Sequence, residues 1–145
     1  MSAFVLSEFL PYRIVSLGDR LSRALGGAYA DEGVSIPEWR VLAVISQQPR
    51  MAARDVVAMT PLDKMAVSRA VAALEEKGLV RRTEDPDDRR VAILSLSPEG
   101  RVVFNRIAAL ALDFERRLLD DLSVDEQKRL RAALAQLEAA LSAPA

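Results

Sequence analysis

The densest cluster of charged side chains is Arg81, Arg82, Glu84, Asp85, Asp87, Asp88, Arg89 and Arg90. Crowded carboxylates are raw material for acid–base work. Here they surround Pro86 and read as a charged turn with no cleft to hold a substrate. The chain has no cysteine and no histidine. That excludes disulfides, thiolate chemistry and triads of the Ser-His-Asp or Cys-His type. A zinc site would need an all-carboxylate ligand set. Serine, threonine, lysine, tyrosine and carboxylates remain, but no phosphate-cradling glycine loop, Ser-x-x-Lys pair or dinucleotide fingerprint organises them. The expectation is a protein that is not an enzyme and uses no metal and no cofactor.

The cations are more informative than the acids. The formal net charge is −1, and residues 50–101 carry 10 basic and 9 acidic groups. Bulk charge therefore makes no case for a polyanionic partner, and placement must make it. At ~100° per residue, a helix over 63–77 gathers Val67, Ala70, Val71 and Leu74 on one side. The other side presents Met65, Arg69, Ala72 and Glu76, flanked by Ser68 and Ala73, with Lys64 in the first turn. This face is narrow, made mostly of small residues, and holds one arginine. Small side chains let a helix sit deep in a major groove, where an arginine can pair with guanine O6 and N7. Ser68 suits a base edge or a phosphate, and Met65, Ala66 or Ala72 a thymine methyl. Lys64 and the helix start suit a phosphate.

The surrounding elements decide whether that helix is presented. Leu79–Thr83 and Val91–Leu96 read as two strands joined by the charged turn, a β-hairpin with Arg81, Arg82, Arg89 and Arg90 on its strands and tip. A tip arginine suits a narrow minor groove, and the turn acids can hold the arginines. Upstream, Ser35 and Glu38 form a capping box before a helix over about 37–48, stopped by Pro49. A short helix over about Ala53–Met59 follows, and Thr60-Pro61-Leu62-Asp63 turns the chain into the next. Short helix, turn, helix and hairpin in that order is a winged helix-turn-helix plan.

Both chain ends add helices. Leu10 to about Ala30 carries apolar residues at spacings of three and four, with Pro11 in its first turn. Before it lies an apolar arm of Phe4, Val5, Leu6 and Phe9. Ser97-Pro98-Glu99 starts a long helix bearing Val103, Phe104, Ile107, Leu110, Phe114, Leu118 and Leu119. A second capping box, Ser123 with Glu126, opens a last helix whose Leu130, Leu134, Leu137 and Leu141 form a coiled-coil-like seam. The expected fold class is mainly α with a small β-hairpin wing. Residues 35–97 make a winged helix-turn-helix region. Residues 1–34 and 98–145 make a helical dimerisation region, with Phe4, Leu6, Phe9, Phe114, Leu118 and the four seam leucines at the subunit contact.

The stretches Asp63-Lys-Met-Ala-Val-Ser-Arg69, Leu74-Glu-Glu-Lys-Gly-Leu-Val80, Asp85-Pro-Asp-Asp-Arg-Arg90 and Leu94-Ser-Leu-Ser-Pro-Glu-Gly100 resemble the MarR family of bacterial regulators. Ile36-Pro-Glu-Trp-Arg-Val-Leu42 looks like the family's second helix. The resemblance implies a triangular homodimer whose chain ends intertwine, with residues 63–77 in the major groove of double-stranded DNA. It also implies an arginine of the Asp88-x-Arg90 element in the minor groove; Arg89 is the other tip candidate, and spacing does not separate the two. Many members repress transcription from an inverted-repeat operator and release it when a small aromatic acid or phenol binds between the dimer helices and the winged domain. Tyr12, Arg13, Arg20, Trp39 and Arg40 fall near such a junction, arginine for a carboxylate and aromatics for a ring. The plainer reading makes Tyr12 and Trp39 core residues. Oxidant sensing through cysteine is closed to this chain. The rival class is a helical dimer whose winged region binds another protein and reads no DNA. No apolar run approaches a membrane span and no secretory leader is evident, so a bacterial cytoplasmic location is expected.

Overall fold

The computed structural model describes residues 3–142. Its elements are α1 (Leu10–Ala28), α2 (Ile36–Ile45), β1 (Met51–Ala52), α3 (Ala53–Met59), α4 (Lys64–Glu76), β2 (Val80–Glu84), β3 (Ala92–Leu96), α5 (Pro98–Leu118) and α6 (Val124–Ser142). Single 3-10 turns stand at Leu6–Glu8 and Ala30–Glu32. The chain divides into two compact units, Met1–Ala111 and Leu112–Ala145. No helix among the described residues is long and apolar enough to cross a membrane.

The first unit is built around the side chains of Leu42, Ile45, Val56, Leu74, Leu94 and Ile107, all without exposed surface. They come from α2, α3, α4, β3 and α5, so one core ties the helix-turn-helix to the strands and to the start of the long helix. At α2 the expected capping box is present: Glu38 N–H donates to Ser35 Oγ at 3.2 Å and Ser35 N–H to Glu38 Oε1 at 3.1 Å. Asp63 caps α4 by accepting from Ala66 N–H at 2.7 Å. Gly78, at φ 76°, ends it in the left-handed conformation that a side chain would strain. There Leu79 N–H reaches Leu74 O and Gly78 N–H reaches Glu75 O, which satisfies the last carbonyls of the helix.

Gly100 is needed for a different reason. A Cβ at this position would lie 1.9 Å from Leu79 O, a backbone atom with no room to yield. The junction is further tied by Ser97, whose hydroxyl donates to Gly78 O at 2.5 Å and accepts from Gly100 N–H at 2.9 Å. The end of α4, the wing and α5 thus meet at one tight backbone contact.

Three expectations are corrected. The hairpin is part of a three-stranded antiparallel sheet in the order β1-β3-β2, with Met51 opposite Leu94 and Ala52 opposite Ile93. A two-residue strand is too short to carry a period in sequence. The second helix stops at Ile45 rather than Gln48. Ser46 Oγ and Gln47 Nε2 both bond back to Ala43 O, and Pro49 disfavours helical backbone at Gln48. The first helix ends at Ala28 rather than Ala30, where the chain turns to bury Tyr29 at 2 % exposure.

The second unit is a helical hairpin. Ser123 and Glu126 form the expected second capping box. Gln127 Nε2 closes the turn by donating to Leu119 O and Leu122 O. No residue of α6 is buried.

Candidate nucleic-acid interface

Packing decides which side of α4 is available. Val67, Ala70, Val71 and Leu74 are buried in the core of the first unit. Lys64, Met65, Ser68, Arg69 and Ala72 are exposed, and Ala66 is half-buried. Met65 keeps 68 % of its surface, far more than an apolar side chain with a partner in its own chain would keep. Glu76 is also exposed, at the last turn of the helix. Its neighbour Glu75 is turned aside by Arg82, whose Nε donates to Glu75 Oε1 at 3.0 Å. That pair fastens strand β2 to α4.

A second fastening lies at the end of α4. Lys77 Nζ donates to Gly33 O at 2.7 Å and to Glu38 Oε1 at 2.5 Å. The same Glu38 closes the α2 capping box, so one carboxylate serves two helices. Partial burial pushes its pKa up, but hydrogen bonds from Lys77 and Ser35 outweigh this and hold the carboxyl below its ordinary value.

At the wing tip, Arg90 grips Asp88 with two hydrogen bonds, Nε to Oδ1 at 3.1 Å and a terminal NH2 to Oδ2 at 3.2 Å. The Arg90 N–H also donates to Asp88 Oδ1 at 3.0 Å. These bonds hold the Asp88 carboxyl below its usual range. Asp85 Oδ1 accepts from Asp87 N–H and shapes the turn instead of holding a cation. Arg89 is exposed, and no carboxylate among the described residues lies within 4.0 Å of it. The two tip arginines are therefore unlike: Arg90 is paired with Asp88, Arg89 has no ion-pair partner among the described residues.

The division extends over the segment. Lys77, Arg82 and Arg90 are in ion pairs. Arg50, Arg54, Lys64, Arg69, Arg81 and Arg89 have no ion-pair partner among the described residues. A near-neutral charge count conceals a set of uncommitted cations on α3, α4 and the wing. Arg50 and Arg54 were not singled out from sequence. The short β1 pairing that carries Arg54 toward the wing was the missing signal.

The five residues expected at a ligand site have different surroundings among the described residues. Trp39 is half-buried and stacks on Phe104, centroids 5.7 Å apart, with Tyr29 on its other neighbour side at 5.7 Å. Arg40 donates to Ser22 Oγ at 2.8 Å. Burial raises the Tyr29 pKa, with the Arg40 charge acting against the rise. Arg13 and Arg20 line a shallow depression of about 380 Å³ on α1 with Leu10, Ile14 and Leu17. Tyr12 does not line it, and at 47 % exposure it is no core residue.

The residues expected at a subunit contact are largely bare. Phe4, Leu6 and Phe9 are 72, 49 and 44 % exposed, with the Phe4 and Phe9 rings 5.1 Å apart. Leu118, Leu130, Leu134, Leu137 and Leu141 range from 42 to 89 % exposed, and Phe114 is half-buried.

A short helix, a tight turn, a second helix with one bare face and a three-stranded wing make this a winged helix-turn-helix protein. A model of the MarR family matches residues 32–91, from the turn after the first helix to the loop before β3. Over that span the chain is similar to the MarR family. It is 27 % identical over 106 residues to the HTH-type transcriptional regulator BilQ of Clostridium symbiosum, covering 73 % of this chain and 74 % of that protein. A MarR-family transcriptional regulator from Rhodococcus sp. RHA1 superposes with a TM-score of 0.84 at 25 % identity, over 93 % of this chain and 96 % of that one. CouR from Rhodococcus jostii RHA1, solved bound to p-coumaroyl-CoA, gives 0.80 at 26 % identity, over 93 % and 95 %.

Proposed function

We propose that the protein is a homodimeric, sequence-specific DNA-binding regulator of transcription in the bacterial cytoplasm, acting as a repressor on an inverted-repeat operator. The bare outer face of α4, small-residued and carrying the unpaired Arg69 and Lys64, is the observation that carries this reading. Such a face enters a major groove while the wing arginines reach the adjacent minor groove. Residues 35–97 read DNA, and residues 1–34 and 98–145 supply the dimer. A dimer would set its two α4 helices about one DNA turn apart, roughly 34–36 Å, so the operator is pseudo-palindromic. Uncovered leucines on α6 and the apolar arm before α1 support a second copy of this chain as partner. No enzymatic activity is part of this reading.

Release by a small aromatic carboxylate or phenol is the proposed control. CouR carries an aromatic acyl thioester, and in this chain Arg13 and Arg20 flank an apolar depression suited to an anionic group with an apolar body. Ligand control requires different affinities for the two states of the dimer.

The test is selection of genomic fragments on the purified full-length protein at about 150 mM salt, close to the physiological range, followed by sequencing. Enrichment of one or a few inverted repeats is expected. A folded dimer that enriches nothing would favour the rival reading, a protein-interaction module, for which the net charge of −1 is the one supporting observation.

A further inference from the structure

The free cations include one that the recognition helix and the wing leave unexplained. Arg54 lies on α3, exposed, with no carboxylate among the described residues within 4.0 Å. Strand register fixes where it stands. β1 runs antiparallel to β3, with Met51 opposite Leu94 and Ala52 opposite Ile93. Each further residue moves toward the end of β3 where Val91 closes the wing loop through its bonds to Asp85 and Asp88. The chain leaves the strand at Ala53 and starts α3 there, so Arg54 stands near the loop end of the wing. Arg50, before the strand, stands toward the other end.

Resting on the DNA-binding reading above, we propose that Arg54 is a backbone-phosphate contact that works with the wing. The wing arginines enter the minor groove, and Arg54 neutralises a phosphate at its edge. The occupant is double-stranded DNA of any sequence, since a guanidinium on a phosphate oxygen reads no base.

Three observations support it beyond position. Arg54 acts electrostatically on Asp88, the carboxylate that grips Arg90, so α3 and the wing tip share one local field. Asp88 is already committed to Arg90 by two side-chain hydrogen bonds, which leaves Arg54 without a hydrogen-bonded anion of its own. The side chain also packs no core: the buried residue of α3 is Val56. A solvated arginine beside a wing, with no structural duty, is placed for a phosphate.

The test is the salt dependence of binding of the full-length protein to a random-sequence duplex of about 30 base pairs, between about 50 and 200 mM salt. Fluorescence anisotropy gives the affinity. The expected result for Arg54→Ala is a slope of log K against log salt shallower by ~0.9, one released counterion. Arg54→Lys keeps the wild-type slope, and Arg54→Glu weakens binding further. Far-UV circular dichroism checks that the variants keep their fold. A wild-type slope in a folded Arg54→Ala protein overturns this contact while leaving the DNA-binding reading intact. Wild-type protein that fails to bind the duplex at the lowest salt overturns both.

Discussion

Helices α4 and α6 are both amphipathic in sequence, yet they meet opposite fates. The apolar side of α4 is wholly covered by its own chain, with Leu74 at 0 % exposure. The apolar row of α6 is uncovered, with Leu130, Leu134 and Leu137 each exposed above 40 %. On α4 the exposed side is the small, cationic one, and on α6 the exposed side includes the leucines. The first is a finished element that offers a polar face outward. The second is half of something. An exposed leucine row at spacings of four and three is costly in water unless another surface covers it. The apolar side of the winged region is thus covered within one chain, while the leucine row of α6 is not.

The contrast is broken most severely at α6. Replacing Leu134 and Leu137 together by glutamate should abolish self-association. Each buried leucine contributes about 1.5–3 kcal/mol, so the double change removes roughly 3–6 kcal/mol from each side of the contact, before charge repulsion is added. Sedimentation velocity reads the mass. A wild-type protein already monomeric at micromolar concentration would remove the contrast altogether.

The matching change on α4 is Leu74→Ala. It opens a cavity in the core of the first unit and should cost about 2–5 kcal/mol. Chemical denaturation should show this loss at every protein concentration. The α6 defect, by contrast, should appear as a loss of concentration dependence in the melting temperature. If both variants show the same concentration behaviour, the two regions do not differ in the way their exposure implies.

On the outward side of α4, Arg69→Ala should leave stability unchanged and weaken binding to a selected operator by ~1–3 kcal/mol, with relaxed preference at one base position. Equal loss on all sequences would make Arg69 a phosphate contact. Lys64→Ala is the internal comparison, expected to weaken binding uniformly.

Legibility in the sequence followed the same line. The winged region was readable because its signals are local and mutually consistent: Ser35 with Glu38, Asp63 before the helix, Gly78 after it, and two strand-like runs on either side of a charged turn. The exposed side of α4 followed from rotation alone, residue by residue. What escaped depends on partners distant in sequence. The β1 pairing joins Met51 to Leu94, and a two-residue strand has no pattern to read, so Arg54 went unnoticed. The bond of Lys77 to Glu38, 39 residues apart, has no local sign either. The residues expected at a ligand site meet different surroundings for a related reason. Trp39 and Tyr12 look alike as aromatic residues on amphipathic helices, yet one stacks on Phe104 and the other stays bare.

The smallest effect tests the Lys77 contact itself. Glu38 is held in its charged form by Lys77 and Ser35, so its folded pKa lies below its unfolded value. A carboxyl shifted in that direction adds stability above the unfolded pKa, and loses it as pH falls through the folded one. Lys77→Met removes the cation and leaves the Ser35 capping bonds in place. The expected loss at neutral pH is ~0.2–1 kcal/mol, since Lys77 is 41 % exposed and the pair is screened by solvent. The difference between wild type and variant should then shrink on acidification below the ordinary glutamate range. Urea melts across that range measure it. A difference that stays constant with pH would mean that the Gly33 carbonyl, and not the Glu38 charge, is what Lys77 serves. The end of α4 would then be held by a neutral backbone acceptor, and the orientation of that helix would be insensitive to acid.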